Sequence, residues 1–345
     1  MVSSTLQQQF SLHVYPKQIS PCVVASRCPF ANFVGSQGSA GPWPQTRRER
    51  IETPDGDFLD LDWSTESDSS TSNLLVVLFH GLTGSAKSPY IRSIMASLDD
   101  AGIPSVLMHF RGCSGEPNRT AGSYHSGHII DIEFVINEVR SRNPGDAIMA
   151  VGYSLGGNAL LKYLARRSNN PLKFAVAVCP PLVLAEGAKR LDTGLSKLYQ
   201  RALIKELKAS LRIKEQRYPA LELDKINYQD VKSFVEFDDQ VTAPLHGYSS
   251  GEDYYDREST LSDLQNIETP THIIFAGNDP FFSRRCVPTD DSGMSAHVTF
   301  ELVQRAGHVA FIDGNVPFAG RDWLRERVTQ LISQQSDGAS RATTS

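Results

Sequence analysis

Short apolar runs that alternate with amphipathic segments constrain the fold of this chain more than any other feature. The clearest run is Leu74–Phe79, in which all six residues are apolar. A strand that is apolar on both faces suits a parallel sheet covered by helices. Comparable strand patterns occupy residues 105–110, 147–151, 174–179, 271–276 and 297–303, and helical patterns occupy residues 89–101, 131–142 and 158–167. The alternation predicts an α/β fold with a mostly parallel, doubly wound sheet.

This alternation stops after residue 180, and helical spacing without buried strands continues to about residue 244. We therefore expect one α/β domain over residues 46–335 with an inserted helical cap at about 184–250. An antiparallel hairpin around the turn at residues 54–57 is expected to open the domain, and a helix over residues 320–333 to close it. Residues 1–45 lack a sustained period and predict a poorly structured extension, and residues 336–345 predict a flexible tail.

Composition excludes several classes of function. The net charge of −5 gives no general reason to expect nucleic acid as a partner. The five cysteines are scattered and form no C-x-x-C pair, which argues against a disulfide framework or a zinc site. No apolar run is long enough for a membrane helix, and no secretory signal opens the chain. We expect a cytoplasmic protein without a metal or cofactor, and the sequence leaves its oligomeric state open.

The most informative motif is Gly152-Tyr153-Ser154-Leu155-Gly156, a G-x-S-x-G pattern. The pattern alone is common, but here it follows a predicted strand and precedes a predicted helix. That setting is the one a nucleophile elbow requires, because the turn is sharp and leaves room only for small flanking residues. The ordinary alternative is a glycine-rich turn between a strand and a helix. We predict that Ser154 is a catalytic nucleophile.

A base and an acid for this serine are expected later in the chain, in the order Ser, Asp, His. Asp279 follows the predicted strand at residues 271–276, and His308 follows the last predicted strand. Both positions lie at strand carboxyl ends, where open α/β sheets place their sites. Neutral His308 would accept the Ser154 proton, and ionised Asp279 would hold the imidazole in its tautomer.

Acyl transfer also needs two N–H donors for the developing oxyanion. The residue after the nucleophile supplies one donor in such elbows, which points to the backbone N–H of Leu155. The loop Phe79-His80-Gly81-Leu82-Thr83-Gly84 follows the first buried strand and offers the second donor, for which we select the N–H of Leu82. His80 itself is expected to be buried and outside the proton relay.

Three weaker signals have ordinary structural explanations. His125 and His128 have H-x-x-H spacing, but the sequence shows no third ligand, so we expect no metal there and a helix start at residue 126 or 127. Asp238-Asp239 is interpreted as a cap turn or helix cap. The loop Arg111-Gly112-Cys113-Ser114-Gly115 lacks the lysine of a phosphate-binding P-loop and is interpreted as an active-site wall with Arg111 in an ion pair.

The predicted cap is locally basic. Residues 185–217 contain nine Lys or Arg against four Asp or Glu. Such a stretch is consistent with a solvated helix face, and also with a patch that contacts anionic lipid or steers anionic substrates. The sequence leaves both interpretations open.

Taken together, the motifs resemble those of the YheT-type α/β-hydrolases, a family of bacterial esterases related to eukaryotic α/β-hydrolase-domain esterases. The resemblance covers residues 47–331. Its matching segments include Pro54-Asp55-Gly56-Asp57-Phe58, His80-Gly81-Leu82-Thr83-Gly84-Ser85, Phe110-Arg111-Gly112-Cys113-Ser114-Gly115, Ser123-Tyr124-His125-Ser126-Gly127, the elbow from Gly152 to Asn158, and Phe237-Asp238-Asp239. The resemblance implies an α/β-hydrolase fold, carboxylic ester hydrolysis, and a triad of Ser154, Asp279 and His308.

One departure from the family lies near the N-terminus. Members usually carry an Asn-Pro/Gly-His-Leu-Gln-Thr segment before the hairpin, whereas this chain has Cys28-Pro29-Phe30-Ala31-Asn32-Phe33.

The elbow, the triad and the family resemblance together predict a serine esterase that acts on small-molecule esters with short- to medium-chain acyl groups. An acyltransferase with the same triad and a non-catalytic binding protein on the same fold are the alternatives.

Overall fold

The described part of the chain, in a computed structural model, comprises residues 44–64, 73–288, 293–304, 306–309, 311–313 and 321–342. The predicted N-terminal extension lies outside the described residues except for residues 44 and 45. The departure from the family at Cys28–Phe33 lies outside them as well.

One sheet of eight strands organises the domain, in the order β1-β2-β4-β3-β5-β6-β7-β8. The strands are β1 (Thr46–Glu52), β2 (Phe58–Ser64), β3 (Leu74–Phe79), β4 (Ser105–Met108), β5 (Ala147–Tyr153), β6 (Leu172–Val178), β7 (Thr271–Ala276) and β8 (Val298–Val303). The strands from β3 to β8 pair in parallel, and β1 and β2 form the predicted antiparallel hairpin. The predicted mostly parallel α/β fold is confirmed.

The helices, numbered along the described residues, are α1 (Pro89–Asp100), α2 (Ile129–Arg142), α3 (Leu155–Arg166), α4 (Leu184–Leu191), α5 (Ser196–Arg217), α6 (Phe234–Phe237), α7 (Ala243–His246), α8 (Gly251–Glu258) and α9 (Trp323–Ala342). Helices α4 to α8 belong to the inserted cap, and the others cover the faces of the sheet. All six residues of β3 are buried, as a strand covered on both faces requires. Helix α1 packs against α9, and α2 packs against α3. A two-residue strand pair, Ile312–Asp313 with Arg321–Asp322, precedes α9.

The inserted cap leaves the sheet after β6 and returns before β7. It comprises α4 to α8 with short 3₁₀ and π turns between them, and it has an apolar cluster of its own. The helical structure continues to Glu258, beyond the predicted boundary at 250. Ser250 does not end the cap. Its side chain accepts a hydrogen bond from the Asp253 N–H and thereby caps the start of α8.

Helices α3 and α9 also differ in their bounds from the sequence prediction. Helix α3 begins at Leu155, directly after Ser154, and not at Asn158. The weak helix formers Gly156 and Gly157 hid this start. Helix α9 reaches Ala342, so most of the predicted tail at 336–345 is helical. Extending an existing helix by a few residues costs little once buried residues such as Val328 anchor it.

None of the helices in the described part of the chain is both long and apolar enough to span a bilayer.

Candidate active site

The elbow at Ser154 forces its backbone into an unfavourable conformation. Ser154 has φ 50° and ψ −119° between β5 and α3. A Cβ at Gly152 would lie 2.6 Å from the carbonyl oxygen of Gly156, and a Cβ at Gly156 would lie 2.4 Å from the carbonyl oxygen of His80. Both positions therefore require glycine, because a Cβ would collide with backbone atoms. At Gly156 the elbow lies directly against the loop after β3.

Three side chains from three different strand ends form one hydrogen-bonded chain. His308 Nε2 lies 2.9 Å from Ser154 Oγ, and His308 Nδ1 lies 2.7 Å from Asp279 Oδ2. The backbone N–H of Phe281 donates to the other Asp279 oxygen at 2.8 Å. The carboxylate accepts a hydrogen bond from Nδ1–H, so Nε2 carries no proton and accepts the hydrogen bond of the serine hydroxyl. The structure thus brings together the three residues selected from the sequence.

Aromatic side chains enclose the imidazole, a feature that the sequence reasoning missed. Phe281 stacks on His308 with ring centroids 4.2 Å apart, and Phe282 meets it edge-on at 5.3 Å. Asn278 also fixes the loop, because its Oδ1 accepts a hydrogen bond from the Ala306 N–H at 2.8 Å. The signal was present in the sequence, since all three residues flank Asp279. These contacts hold the base in place and shield it from water.

The two predicted oxyanion donors lie at the same cavity as the nucleophile. Leu82, Leu155 and Ser154 all line it. Among the described residues, the backbone N–H of Leu82 donates no hydrogen bond, and neither does that of Leu155, which is the first residue of α3. A Cβ at Gly81 would lie 3.2 Å from Ser154 Cβ, so the loop that carries Leu82 runs directly beside the nucleophile.

Two partly buried tyrosines hold this loop. The Gly81 N–H donates to Tyr90 Oη at 2.8 Å, and the Thr83 N–H donates to Tyr124 Oη at 2.8 Å. Burial raises the pKa of Tyr90 to about 12 and raises the pKa of Tyr124 well above its usual range, so both hydroxyls stay neutral. The N–H groups on either side of Leu82 are thereby occupied, while its own N–H is left available.

His80 has a structural role, as the sequence predicts. Its Nδ1 donates to the Gly81 carbonyl at 2.7 Å, and its Nε2 accepts from the Phe110 N–H at 3.1 Å. Burial lowers the pKa of His80 to about 3, so the ring stays neutral. It ties the loop after β3 to the loop after β4, and it contacts no member of the triad in the hydrogen-bond network of the described residues.

Arg111 is buried and paired, which confirms the structural interpretation of its loop. Its guanidinium contacts Asp131 at 2.7 and 2.8 Å, Asp55 at 2.6 Å and Asp57 at 3.1 Å. Burial alone would raise the pKa of Asp131, but hydrogen bonds from Arg111 and His128 outweigh it and lower the value to about 2. The network joins the hairpin turn to α2 and supports the cavity wall.

A cavity of about 480 Å³ extends from Ser154 under the cap. Most of its lining is apolar and comes from both the sheet loops and the cap, including Leu184, Leu203, Leu207, Phe234, Phe237 and Phe281. A space of this size and character suits an acyl chain better than a strongly polar group.

Two polar residues of the cap, Asp238 and Lys214, lie on the cavity wall. Asp238 accepts hydrogen bonds from Tyr255 Oη at 2.8 Å and Thr242 Oγ1 at 2.7 Å, and burial raises its pKa to about 6. It lies in a π-helical turn of the cap, Asp238–Thr242. Lys214 donates to the carbonyls of Ala121 and Gly122 at 2.9 and 2.7 Å and so joins α5 to the loop after β4.

A histidine cluster lies beside the cavity. The sequence showed His125 and His128 without a third ligand, and the structure brings His246 from the cap next to them, with ring centroids of His125 and His246 4.5 Å apart. Their nitrogens lie within 4.8 Å of one another. Helix α2 begins at Ile129, with His128 and not Ser126 or Gly127 at its N-cap.

Comparison with known proteins places this fold and site in a class. A family model described as the alpha/beta hydrolase fold matches residues 75–315, which include the elbow, Asp279 and His308. The chain belongs to the α/β-hydrolase family, and it is a hydrolase.

Curated relatives narrow the class. The Escherichia coli protein named "Putative esterase YheT" is 38% identical over 83% of this chain and 84% of its own length. The Mus musculus protein named "Phospholipase ABHD3" is 30% identical over 80% of this chain and 69% of its own length. Within the α/β-hydrolases, the chain is of the YheT type. The solved structure of the Pyrococcus furiosus esterase Pf2001 is similar in fold, with a TM-score of 0.54 at 16% identity over 86% of this chain and 97% of that chain.

Proposed function

We propose that this protein is a serine esterase that hydrolyses carboxylic esters with short- to medium-chain acyl groups. The observation that carries the proposal is the hydrogen-bonded series from Ser154 Oγ through His308 to Asp279, at 2.9 and 2.7 Å. This order of groups activates a serine hydroxyl in hydrolases of unrelated folds. The names of the YheT and ABHD3 relatives, an esterase and a phospholipase, are consistent with it.

In the first half of the proposed reaction, Ser154 Oγ attacks the ester carbonyl carbon while His308 Nε2 takes the hydroxyl proton. The carbonyl oxygen becomes an oxyanion, and the N–H groups of Leu82 and Leu155 stabilise it. The bond from the carbonyl carbon to the alkoxy oxygen then breaks. His308 returns its proton to the departing alkoxide, and an acyl group is left on Ser154.

In the second half, water takes the place of the alcohol. His308 Nε2 removes a proton from the water as its oxygen attacks the acyl carbon, and the same N–H groups hold the second oxyanion. The bond to Ser154 Oγ breaks, the serine recovers a proton from His308, and a carboxylic acid leaves. Asp279 stabilises the imidazolium in both halves without becoming protonated.

The preference for acyl chains of moderate length follows from the cavity. An apolar space of about 480 Å³ accepts methylene groups until it is filled. Each buried methylene contributes about 0.8 kcal/mol, or up to about fourfold in kcat/KM. We expect kcat/KM to rise with chain length and then fall when the cavity is full.

The acyltransferase alternative uses the same acyl-enzyme, with an alcohol replacing water. Water and an alcohol are both neutral, so the cavity does not select between them by charge. Analysis of the products in the presence of an added alcohol distinguishes hydrolysis from acyl transfer.

We propose the cytoplasm as the compartment of this protein, because cysteines such as Cys113 and Cys179 are free thiols.

The test combines a fluorophosphonate probe with p-nitrophenyl esters of increasing chain length. Wild-type protein should be labelled, and Ser154→Ala should lose labelling and at least ~10³-fold in hydrolysis. Ser141→Ala is a matched control, since this exposed serine lies in the last turn of α2 and does not line the cavity. A folded wild-type protein that neither reacts with the probe nor cleaves any ester would contradict the proposal and favour the binding-protein alternative.

A further inference from the structure

Helix α5 of the cap has an apolar line on its exposed side. Leu195, Leu198 and Ile213 are 64%, 41% and 55% exposed, and Ala202 and Ala209 between them are exposed as well. We name these five residues the α5 ridge. Their spacing of three, four or seven residues places them on one side of the helix. Only five large apolar side chains of the described residues are exposed, and three of them belong to the ridge.

Beside the ridge runs a line of positive charge. This α5 basic row consists of Lys197, Arg201, Lys205, Lys208 and Arg212. Within the described residues, its one ion pair is that of Lys197 with Asp192, at 3.5 Å. The row therefore has an almost uncompensated charge on a helix whose acidic residues are Glu206 and Glu215.

The ridge also borders the catalytic cavity. Ala209 and Ile213 line the cavity that contains Ser154, and so do Glu206 and Ser210 on the same helix. Helix α5 is therefore both a wall of the cavity and an exposed apolar surface. A ligand that reached the ridge would lie at the cavity mouth without crossing a separate polar surface.

We propose that the α5 ridge and the α5 basic row dock on an anionic lipid surface, from which lipid carboxylic esters enter the cavity. The basic row would contact phosphate headgroups, and the ridge would enter the apolar boundary beneath them, as interfacial amphipathic helices do. The delivery of substrate rests on the proposed esterase function, whereas the docking itself does not.

Charge complementarity favours an anionic lipid surface over a second copy of the chain as the partner of the α5 ridge and the α5 basic row. A second copy of the chain would place one basic row against another, which is repulsive. Each Lys or Arg near the surface of an anionic bilayer raises the binding constant by about fivefold. Three such side chains together account for on the order of a hundredfold.

The experiment measures binding of the full chain to vesicles by sedimentation, with phosphatidylcholine alone or mixed with phosphatidylglycerol. The charge variant is Lys197→Gln with Arg201→Gln and Lys205→Gln. The matched control removes three exposed charges elsewhere, with Arg47→Gln, Lys173→Gln and Lys225→Gln. The ridge variant is Leu195→Ser with Leu198→Ser.

We expect wild-type protein to bind the anionic vesicles and to release them as salt rises. The charge variant should lose on the order of a hundredfold in affinity, and the control should bind as wild type does. The ridge variant should lose about tenfold and keep the salt dependence. Hydrolysis of a soluble p-nitrophenyl ester should be unchanged in all variants, which separates failed docking from a failed catalytic proposal.

Three results would overturn the docking proposal. They are equal binding to neutral and anionic vesicles, equal losses in the charge variant and its control, and a dimer by light scattering that the ridge variant converts to monomer. The last result would assign the ridge to a second copy of the chain.

Discussion

Substitution of Gly156 by alanine tests how tightly the elbow is built. The added Cβ would lie 2.4 Å from the His80 carbonyl oxygen and 2.7 Å from that of Phe79. To reach 3.0 Å, the shortest separation that real Cβ atoms show, the elbow or the loop must move by at least about 0.6 Å. His80 is fixed by two hydrogen bonds, so the movement falls largely on Ser154 and Leu155.

The expected cost follows from this displacement. Overpacking of this kind destabilises by about 1–3 kcal/mol, although alanine is intrinsically the better helix former by about 1 kcal/mol. A shift approaching 1 Å between nucleophile, base and oxyanion donors lowers turnover by about 10²-fold. Gly156→Ala should therefore remain folded and lose about 10²-fold in kcat/KM for a p-nitrophenyl ester.

The assay pairs steady-state kinetics with urea unfolding followed by tryptophan fluorescence. Gly145→Ala is the matched control, because no atom lies within 4 Å of its added Cβ and its φ is not positive. It should keep wild-type activity and stability. Wild-type kcat/KM in a folded Gly156→Ala protein would refute the claim that this contact sets the catalytic geometry.

Further predictions concern charge and the base. Arg111→Leu should lower the free energy of unfolding at pH 7 by about 3–5 kcal/mol, because it leaves buried carboxylates unpaired. Arg142→Leu, at an exposed ion pair, should lower it by at most about 1 kcal/mol, and urea unfolding measures both changes. Hydrogen bonds outweigh burial and lower the pKa of Asp57 and of Asp131 to about 2, below the unfolded value of about 3.9. Their stabilisation is therefore full above pH 4 and is lost as pH falls toward 2, which unfolding at a series of pH values should show, with a weaker dependence in Arg111→Leu. Asp279→Asn should lower kcat by about 10⁴-fold with little change in KM, measured on the same ester, and a loss below about tenfold would exclude its role in orienting the base.

The sequence predicts features that depend on neighbours along the chain. The β7 strand at residues 271–276 and the β3 strand at 74–79 have the predicted bounds, because apolar continuity alone defines them. The elbow was recognisable because strand, Gly152, Ser154 and helix are contiguous. Asp279 and His308 could be selected because parallel strands bring their carboxyl ends to one edge of the sheet.

Features made by contacts between distant segments could not be predicted in this way. The approach of His246 to His125 depends on how the cap folds over the sheet. The hydrogen bond that Asp238 accepts from Tyr255 joins residues seventeen positions apart in two different helices. The exposed side of α5 could not be predicted either, because the spacing of its apolar residues is equally consistent with a buried helix face. In the structure, Leu195 and Ile213 face solvent.

The most direct test of the central claim is to trap the acyl group on the enzyme. The protein is mixed with an excess of a p-nitrophenyl ester, quenched in acid at early times, digested and analysed by mass spectrometry. The account predicts that the mass of the acyl group is added to the peptide containing Ser154, and that Ser154→Ala abolishes it. Hydrolysis with no adduct at Ser154, or with the acyl group on another residue, would contradict the account.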